Sequence, residues 1–437
     1  MSVGVEVASE DHGGRIARLV LLHDEKGKML VLLPATALLD LATIWAFTER
    51  RLQPVKASDV RRFFTQPQLQ GKDGFAKLAG LPLLVDEQCS KHSSLKVTEP
   101  YSGAAWQVAA DKLTTGLCCQ LSLYASQIVA RTPEGSDEAV ITSAVKRFTR
   151  LRIQQRLEDT LGLPSMSPTT QKILMLRSDP DADIEDLVEV VRVDPSLSAQ
   201  VMSWAASPYY AAPGKISSVE DAVIRVLGFE LVVNMALATA MGRMLTVPET
   251  GPRGGTPYWV QAVCCATLAE LLCKKMPAAM RPEPGLAYLG GLLHNFGYLV
   301  LSHLFPPQFT VLSRYIEANP HFSLEAVEQQ VLNVTREQVG GWLLDNWALP
   351  EEVCEAIRYQ NNRQAQGENS AYMQLLYLAN RLLRQQGLSD GPVEAVPEAV
   401  PEALGLNAAQ VAEALTELMA KDESIRELTA LLNSSQS

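Results

Sequence analysis

The sequence predicts a multidomain α+β protein, with an N-terminal α/β unit, a large all-α domain and a helical C-terminal tail. Its 437 residues exceed the roughly 100–200 residues of one typical domain. Residues 1–160 carry 20 basic and 18 acidic side chains, whereas residues 161–437 carry 18 and 31, which indicates two physically different units. After Ser136, strand-like segments also give way to apolar positions spaced three or four residues apart.

Strand patterns characterise the first predicted domain, residues 1–118. The turn-forming residues Asp24 and Gly27 separate two apolar runs, as in a β-hairpin. The predicted elements are a hairpin at 15–34, a helix at 40–51 and strands at 80–86 and 106–108. Mixed strands and helices over this length are typical of a compact α/β unit.

A connecting segment, residues 119–160, contains a predicted helix that Ser136 caps and that runs towards Leu161. Asp137 and Glu138 lie in its first turn, where the helix dipole favours acidic side chains. We expect this helix to connect the two domains.

The second predicted domain, residues 161–385, contains helical patterns with little β-branched alternation. Capping patterns mark several helix starts, and Gly228 marks a helix end. These signals are Asp194-Pro195, the capping box at 217–220 with an end at 227–228, and the acidic first turn after Pro350.

One apolar stretch, residues 286–305, contains no Lys, Arg, Asp or Glu and is long enough to cross a bilayer. It also contains His294, Asn295 and several glycines, and no basic cluster flanks it. We therefore predict a buried helix or helix pair and no membrane partner. The chain shows no signal-peptide pattern at its N-terminus, so we expect a cytoplasmic protein.

The C-terminal tail, residues 386–437, begins with an acidic, proline-containing linker. Asn407 then caps an amphipathic stretch that ends the chain. We expect this stretch to dock on the rest of the molecule, and binding of a partner is the alternative.

Composition excludes several kinds of site. Seven cysteines form no CxxC pair and are odd in number, which argues against a zinc ribbon or a disulfide scaffold. Six histidines are too few for a histidine-rich metal centre, and a net charge of −11 argues against a general nucleic-acid coat. No metal and no cofactor is predicted.

The segment GGLLHNFG at 290–297 places a polar His-Asn pair inside an apolar helix, where it is costly unless satisfied. This segment and its neighbours resemble the HDOD family, the output-module branch of the HD phosphohydrolase superfamily. The resemblance covers about residues 157–385. Its other blocks are DPSLSAQVMSWAASPYY from Asp194, ISSVEDAVIRVLGFELVVNMALA from Ile216, Tyr258-Trp259 and VGGWLLDNWALPEEVCEAI from Val339.

Catalytic HD proteins bind one or two metal ions through several His and Asp side chains, and the metal activates a water molecule for attack on phosphate. The resemblance implies that this chain has substituted most of those ligands. Amides or arginine stand where His or Asp is usual, and His294 alone keeps a ligand type. The implied degenerate pocket consists of Gln261, His294, Asn295, Arg336, Gln360, Asn361 and Asn380.

Two interpretations of His294 and Asn295 stay open. They form either a polar network or anion pocket that includes Arg336, or a hydrogen-bonded core pair that fixes helix register. In both interpretations the chain has no catalytic residue at this place.

Residues 15–118 carry a second resemblance, to the YbaK-type aminoacyl-tRNA deacylase domain. It rests on RIARLVLLHDEKGKMLVLLPA, LDLATIWAFTERRLQPVKASDVRRFF and the region that begins GLPLLVDEQCSKHSSLKVTEPY. In that family a lysine on an early strand and a Gly-x-x-x-Pro loop position the aminoacyl ester. Here Arg18 takes the strand position, and the loop runs from Gly74 to Leu78, which replaces the proline.

The second resemblance thus implies a degenerate deacylase site made of Arg18, Gly74, Lys77 and Leu78. Lys77 is a substitute cation without an assigned role. Arg18 either retains anion binding through its guanidinium or serves as a surface or structural ion-pair residue.

The sequence therefore predicts a non-catalytic bacterial signal transduction protein, a pseudoenzyme. Its HDOD domain would bind a protein partner of a signalling pathway or a small effector that the sequence does not identify. Its first domain would act as a sensor or docking unit. One alternative is binding or weak hydrolysis of aminoacyl-tRNA by the first domain, aided by a basic run at 50–62. The other alternative is a residual metal-dependent phosphohydrolase.

Overall fold

The computed structural model describes residues 16–71, 73–109, 117–124, 135–148, 167–210, 216–245 and 247–434, together with positions 113, 127, 128 and 214. Within these residues, the strands lie between residues 16 and 123 and helices form the rest of the chain. An N-terminal α/β region followed by a large helical domain confirms the predicted α+β class.

The described strands and helices of the N-terminal unit are short. The strands are β1 (Ile16–Asp24), β2 (Gly27–Pro34), β3 (Leu38–Leu39), β4 (Gln53–Pro54), β5 (Leu83–Asp86), β6 (Ser94–Thr98), β7 (Ala105–Ala109), β8 (Leu117–Cys119) and β9 (Ser122–Leu123). The helices are α1 (Leu41–Thr48), α2 (Ala57–Phe64) and α3 (Glu87–Ser90), with 3₁₀ turns at Pro67–Leu69 and Phe75–Leu78.

The main sheet is mixed, with the order β7-β6-β1-β2-β5-β8 and with β4 pairing β1. Strands β1 and β2 form the predicted hairpin, in which Asp24 pairs with Gly27. The predicted helix after Asp40 is confirmed as α1, because the Asp40 carboxylate accepts a hydrogen bond from the Ala42 amide. Strands β5 and β7 confirm the two other predicted strand regions.

The two faces of this sheet pack against different partners. Since side chains alternate along a strand, Ala17 and Leu19 face one side and Arg18 the other. Ala17 and Leu19 belong to the core that the unit builds with its own helices and turns. Val31 and Leu33, on the side of Arg18, belong to a core shared with the helical domain. The sheet is therefore covered on both faces.

The helical domain and tail contain the remaining described helices. They are α4 (Asp137–Phe148), α5 (Pro168–Ser178), α6 (Ile184–Val193), α7 (Pro195–Ala206), α8 (Val219–Ala222, continued as a π-helical turn Val223–Leu227), α9 (Phe229–Met244), α10 (Tyr258–Lys275), α11 (Pro284–Leu293), α12 (Phe296–Leu304), α13 (Pro306–Ala318), α14 (Leu324–Leu332), α15 (Arg336–Asn346), α16 (Glu351–Tyr359), α17 (Ser370–Gln385), α18 (Ala399–Ala403), α19 (Ala408–Met419) and α20 (Asp422–Ser434).

Most of the predicted caps are confirmed, and one is shifted. Asp194 accepts from the amides at the start of α7, and Asn407 forms a capping box at α19. At α8 the cap is Ser218, which accepts from the Asp221 amide, whereas Ser217 donates its hydroxyl to the Asp221 carboxylate. The predicted helix end is confirmed by Gly228, whose positive φ of 77° favours glycine.

The predicted helix after Ser136 begins as expected, since α4 starts at Asp137. Its buried side chains Val140 and Ile141 join the helical core, and Asp137 forms an ion pair with Arg358. Its predicted continuation towards Leu161 lies outside the described residues.

The apolar stretch at 286–305 forms the predicted helix pair, because α11 and α12 separate at Asn295. Among the described helices, none by itself has both the length and the hydropathy of a membrane span. Taken together, the two arms of one pair, Val219–Leu227 and Phe229–Met241, meet both criteria, with a bend of 113° between them.

The tail docks on the helical domain, as predicted. Leu418, Ile425 and Leu428 are buried in the common core, and Lys275 of α10 pairs with Glu417 at 2.6 Å. The tail therefore returns to α10, the helix that also carries a predicted site residue.

A buried asparagine joins the two units. Asn319, just after α13, donates to the Leu39 carbonyl (3.1 Å) and accepts from the Leu39 amide (2.7 Å), so its side chain pairs with the backbone like a neighbouring strand. Its oxygen also accepts from the Arg18 guanidinium at 2.6 Å. The same guanidinium donates to the Ala318 carbonyl at 2.8 Å. The interface is thus specified by hydrogen bonds as well as by the shared core.

We expect Asn319→Ala to lower the free energy of unfolding by about 2 kcal/mol, because the buried Leu39 amide and carbonyl lose their partner and Arg18 loses one of its acceptors. Urea denaturation of the full chain measures the change. The matched control is Asn346→Ala, since Asn346 is exposed and bonds only its own helix. Equal effects of the two substitutions would contradict an interface held by Asn319.

Candidate functional site

All seven residues of the predicted HD-type pocket line one cavity of about 60 Å³. A cavity of this size has room for roughly four to six water-sized molecules. The seven positions come from five parts of the helical domain: α10, the break between α11 and α12, the start of α15, the end of α16, and α17. His294 and Arg336, which lie 42 positions apart in the sequence, therefore share a pocket.

Glycines bring these helices close enough to form the cavity. A Cβ at Gly291 would lie 2.5 Å from the Ala266 Cα of α10, and a Cβ at Gly297 would overlap the Arg336 carbonyl oxygen. The glycines of the GGLLHNFG segment therefore permit backbone contact between neighbouring helices. This contact places His294 and Asn295 against Arg336.

Arg336 is held by a buried ion pair. Its Nε donates to Glu328 Oε1 at 2.5 Å and its backbone amide donates to Glu328 Oε2 at 2.9 Å. Its Nη1 donates to Asn295 Oδ1 at 2.9 Å. Burial opposes the charged form, but the Glu328 and Glu337 carboxylates raise the pKa of Arg336. Arg336 thus remains a cation whose charge Glu328 balances.

His294 and the neighbouring amides form a connected network. His294 Nδ1 lies 2.7 Å from the Gly291 carbonyl oxygen, and Gln360 Nε2 donates to the His294 carbonyl at 2.8 Å. Asn380 Nδ2 donates to Gln360 Oε1 at 3.0 Å. Burial, and then Arg384 and Arg336, lower the pKa of His294 to about 4, so the imidazole is neutral near pH 7. This arrangement agrees with a polar network that includes Arg336.

The cavity does not fit the metal ion that the HD superfamily implies. Among the residues that the structure describes, no group of three or more His, Cys, Asp and Glu side chains could hold a metal. His294 directs Nδ1 to a carbonyl, and the Asn295 oxygen already accepts from Arg336. The described residues of the cavity therefore do not fit a catalytic metal ion.

Sequence analysis missed several charged residues of the cavity. They are Glu325, Glu337, Arg381, Arg384, Asp390 and Glu394. One signal was available, because Arg384 follows Asn380 by four positions and so lies on the same helical face. Asp390 belongs to the acidic linker, where it accepts from the Thr256 amide at 2.8 Å and from Gln261 Nε2 at 3.1 Å. The linker therefore closes one side of the cavity.

The predicted deacylase site does not come together. Leu78 packs in the core on the Ala17 and Leu19 face of the sheet, whereas Arg18 is 3% exposed on the opposite face and bonds α13. The described partners of Arg18 are carbonyl and amide oxygens, so the structure shows a buried interface contact and no ion pair, while anion binding by Arg18 stays a prediction. Gly74 packs beneath Trp106 and the Leu69 carbonyl, and Lys77 is exposed.

The basic run at 50–62 is partly engaged within the unit. Arg50 pairs with Asp24 at 2.5 Å, and Arg61 Nε donates to the Tyr101 carbonyl at 3.1 Å. Arg62 lies 3.5 Å from Asp59 and is mostly exposed. Such contacts are typical of a solvated helix face, and they leave the tRNA alternative without a structural argument.

Comparison with known proteins agrees with the helical resemblance. The HDOD domain family matches residues 163–363. A crystal structure from Marinobacter aquaeolei VT8, named a "putative signal transduction protein", is 38% identical, with a TM-score of 0.89 over 98% of this chain and 95% of that chain.

More distant proteins match the same fold. An HDOD domain protein with unknown function from Geobacter sulfurreducens is 20% identical, with a TM-score of 0.53 over 68% of this chain and 98% of that chain. An uncharacterized protein of Treponema pallidum (strain Nichols) is 25% identical over 253 residues, which are 57% of this chain. The match spans 46% of that protein, about half its length. Residues 163–363 are therefore identified as an HDOD domain, and the chain as a whole is similar to a protein that is named a signal transduction protein.

Proposed function

We propose that this chain is a non-catalytic signal transduction protein whose HDOD domain acts as a binding module for a signalling partner or effector. The observation that carries this proposal is the composition of the cavity. Amides, one neutral imidazole and one arginine occupy the positions at which the HD resemblance expects metal ligands. Such groups recognise a ligand through hydrogen bonds and charge but do not activate water through a metal.

The N-terminal unit acts in this proposal as a docking or sensor unit. The shared core and the Asn319 network join it to α13, which supports a role of this unit together with the helical domain. The name of the Marinobacter protein supports a signalling role, because that protein matches this chain over both units. The proposed site of action is the cytoplasm.

We expect the purified full chain to contain no stoichiometric metal and to leave bis(p-nitrophenyl) phosphate intact in the presence of Mn²⁺ or Mg²⁺. The reason is that, among the described residues, no three carboxylate, imidazole or thiol side chains are placed so that they could hold a metal ion. Elemental analysis and release of p-nitrophenol measure the two quantities.

The variants His294→Ala and His303→Ala make the experiment specific, since His303 is exposed outside the cavity. Bound metal and turnover that disappear in His294→Ala but persist in His303→Ala would overturn the proposal in favour of a residual phosphohydrolase. Turnover that both variants retain would point to a contaminating activity and leave the expected result in place.

A further inference from the structure

Two arginines of the cavity carry charge that the protein neutralises only in part. Arg381 is 8% exposed, and its Nε and Nη1 atoms make no hydrogen bond. Its Nη2 lies 3.3 Å from Glu394, and its guanidinium stacks 3.5 Å from the Tyr377 ring centroid. The stacking fixes the guanidinium plane and leaves one edge with donors that have no protein acceptor.

Arg384 follows Arg381 by three residues and therefore lies about one turn further along α17. Its Nε is buried without a hydrogen bond, and within the described part of the chain no carboxylate forms an ion pair with it. Burial, and then Arg381, lower the pKa of Arg384, whereas Glu394 and Glu337 oppose this shift. Asn380, 3% exposed between these arginines and the amide network, keeps its Oδ1 without a partner.

Buried guanidinium N–H donors without an acceptor are unfavourable unless a ligand supplies one. Arg336 does not share this condition, because Glu328 balances it. The unsatisfied donors of Arg381 and Arg384 line the same cavity, whose volume of about 60 Å³ suits a single tetrahedral oxyanion.

We propose that Arg381 and Arg384 form a binding site for the phosphoryl group of a small molecule. Guanidinium groups bind such oxyanions through paired N–H donors, which match the geometry of phosphate oxygens. Asn380 adds no donor to this site, since its Nδ2 already bonds Gln360 and its free Oδ1 is an acceptor. The inference deepens the proposed function and rests on it, because it assigns a ligand class to the same cavity.

An outer pocket adjoins this site. It has a volume of about 450 Å³, shares Asn361, Arg381 and Glu394 with the inner cavity, and is also lined by Tyr377 and Arg363. A phosphoryl group at Arg381 can therefore carry an organic substituent into the outer pocket. This geometry favours a phosphomonoester, for which free phosphate supplies the minimal recognised group.

Acidic side chains around the cavity would compete with a phosphoryl group for the two arginines. Asp390 is engaged by Thr256 and Gln261, and Glu337 Oε1 accepts from Asn361 at 3.0 Å. Burial, and then Glu337 and Glu328, raise the pKa of Glu325 well above its usual range, so the protonated form gains population. Glu394 of the linker contacts Arg381 directly, and an incoming phosphoryl group displaces it.

Isothermal titration of the full chain with inorganic phosphate and with phenyl phosphate tests the site. We expect saturable binding of phenyl phosphate that weakens about tenfold or more in Arg384→Gln, the loss expected for charge-assisted hydrogen bonds. Glu394→Gln should tighten binding, because it removes the competing carboxylate. Arg192→Gln, which removes an equal charge from an exposed ion pair elsewhere, should leave the affinity unchanged.

The proposal is overturned if neither ligand gives a saturable heat of binding. It is also overturned if Arg384→Gln and Arg192→Gln weaken the binding of phenyl phosphate equally. Arg384→Lys keeps the charge and checks folding; it should bind more tightly than Arg384→Gln yet more weakly than the unchanged chain. Tighter binding of phenyl phosphate than of inorganic phosphate supports a role of the outer pocket, and equal binding assigns recognition to the phosphoryl group alone.

The two proposals fail in different ways. If the full chain binds no phenyl phosphate and also shows no metal and no turnover, the phosphoryl site is wrong but the non-catalytic assignment stands. Release of phenol from phenyl phosphate, lost in His294→Ala, overturns the non-catalytic assignment while the binding data still decide the site.

Discussion

The substitution Gly297→Ala is expected to lower the free energy of unfolding by about 3 kcal/mol or more. The added Cβ would overlap the backbone carbonyl of Arg336, and a backbone atom cannot rotate away as a side chain can. Gly340 on α15 approaches the same point, since its own added Cβ would lie 3.0 Å from the Gly297 amide nitrogen. Helices α12 and α15 would have to separate, which would also stretch the bond from Arg336 to Asn295.

The neighbouring Gly290 provides the matched control for this experiment. A Cβ at Gly290 meets Leu376 Cδ1 at 3.7 Å, an ordinary contact, and alanine has the higher helix propensity. Urea denaturation of the full chain should therefore give a large loss for Gly297→Ala and little change for Gly290→Ala. A similar response at both positions would contradict the close crossing of α12 and α15.

Removal of the Glu328 carboxylate should lower the free energy of unfolding at least as much as Gly297→Ala does. Glu328→Ala leaves the buried Arg336 cation without its partner, and breaking a buried ion pair from one side costs about 3–5 kcal/mol. We expect a lower urea midpoint and a cavity that no longer holds Arg336 against Asn295. Glu328→Gln should be milder, because its amide oxygen can still accept from the guanidinium.

The comparison variant is Glu413→Ala. Glu413 pairs with Lys275 at 3.1 Å but is 64% exposed, and exposed ion pairs contribute about 0–1 kcal/mol. If Glu328→Ala loses no more stability than Glu413→Ala, Arg336 is not held by the ion pair and the electrostatic account of the cavity fails.

Local signals explain which elements the sequence could predict. The hairpin at β1 and β2 was predictable because its turn residues and its apolar runs are neighbours in the chain. Helix caps such as Asp194 and Asn407 are equally local. The shift from Ser217 to Ser218 arose where two adjacent serines each precede an acidic residue by three positions, so the pattern fits both.

The site shows what lies beyond local signals. The convergence of His294 and Arg336 could be expected only through the family resemblance, because no spacing rule relates separate helices. Arg381 and Arg384 were missed because charged residues on a helix usually face solvent. Arg18 was misjudged for a related reason: strand alternation places it opposite Ala17 and Leu19, but α13, which covers that face, comes about 300 residues later.

The pairing of Asn319 with Leu39 also has a consequence for synthesis. These partners are 280 positions apart, so the sheet face that carries Val31 and Leu33 leaves the ribosome long before its cover exists. At elongation rates of about 5–20 residues per second, the nascent chain would present this apolar face for on the order of 15 to 60 seconds. The N-terminal unit therefore completes its burial only when synthesis is nearly three-quarters done.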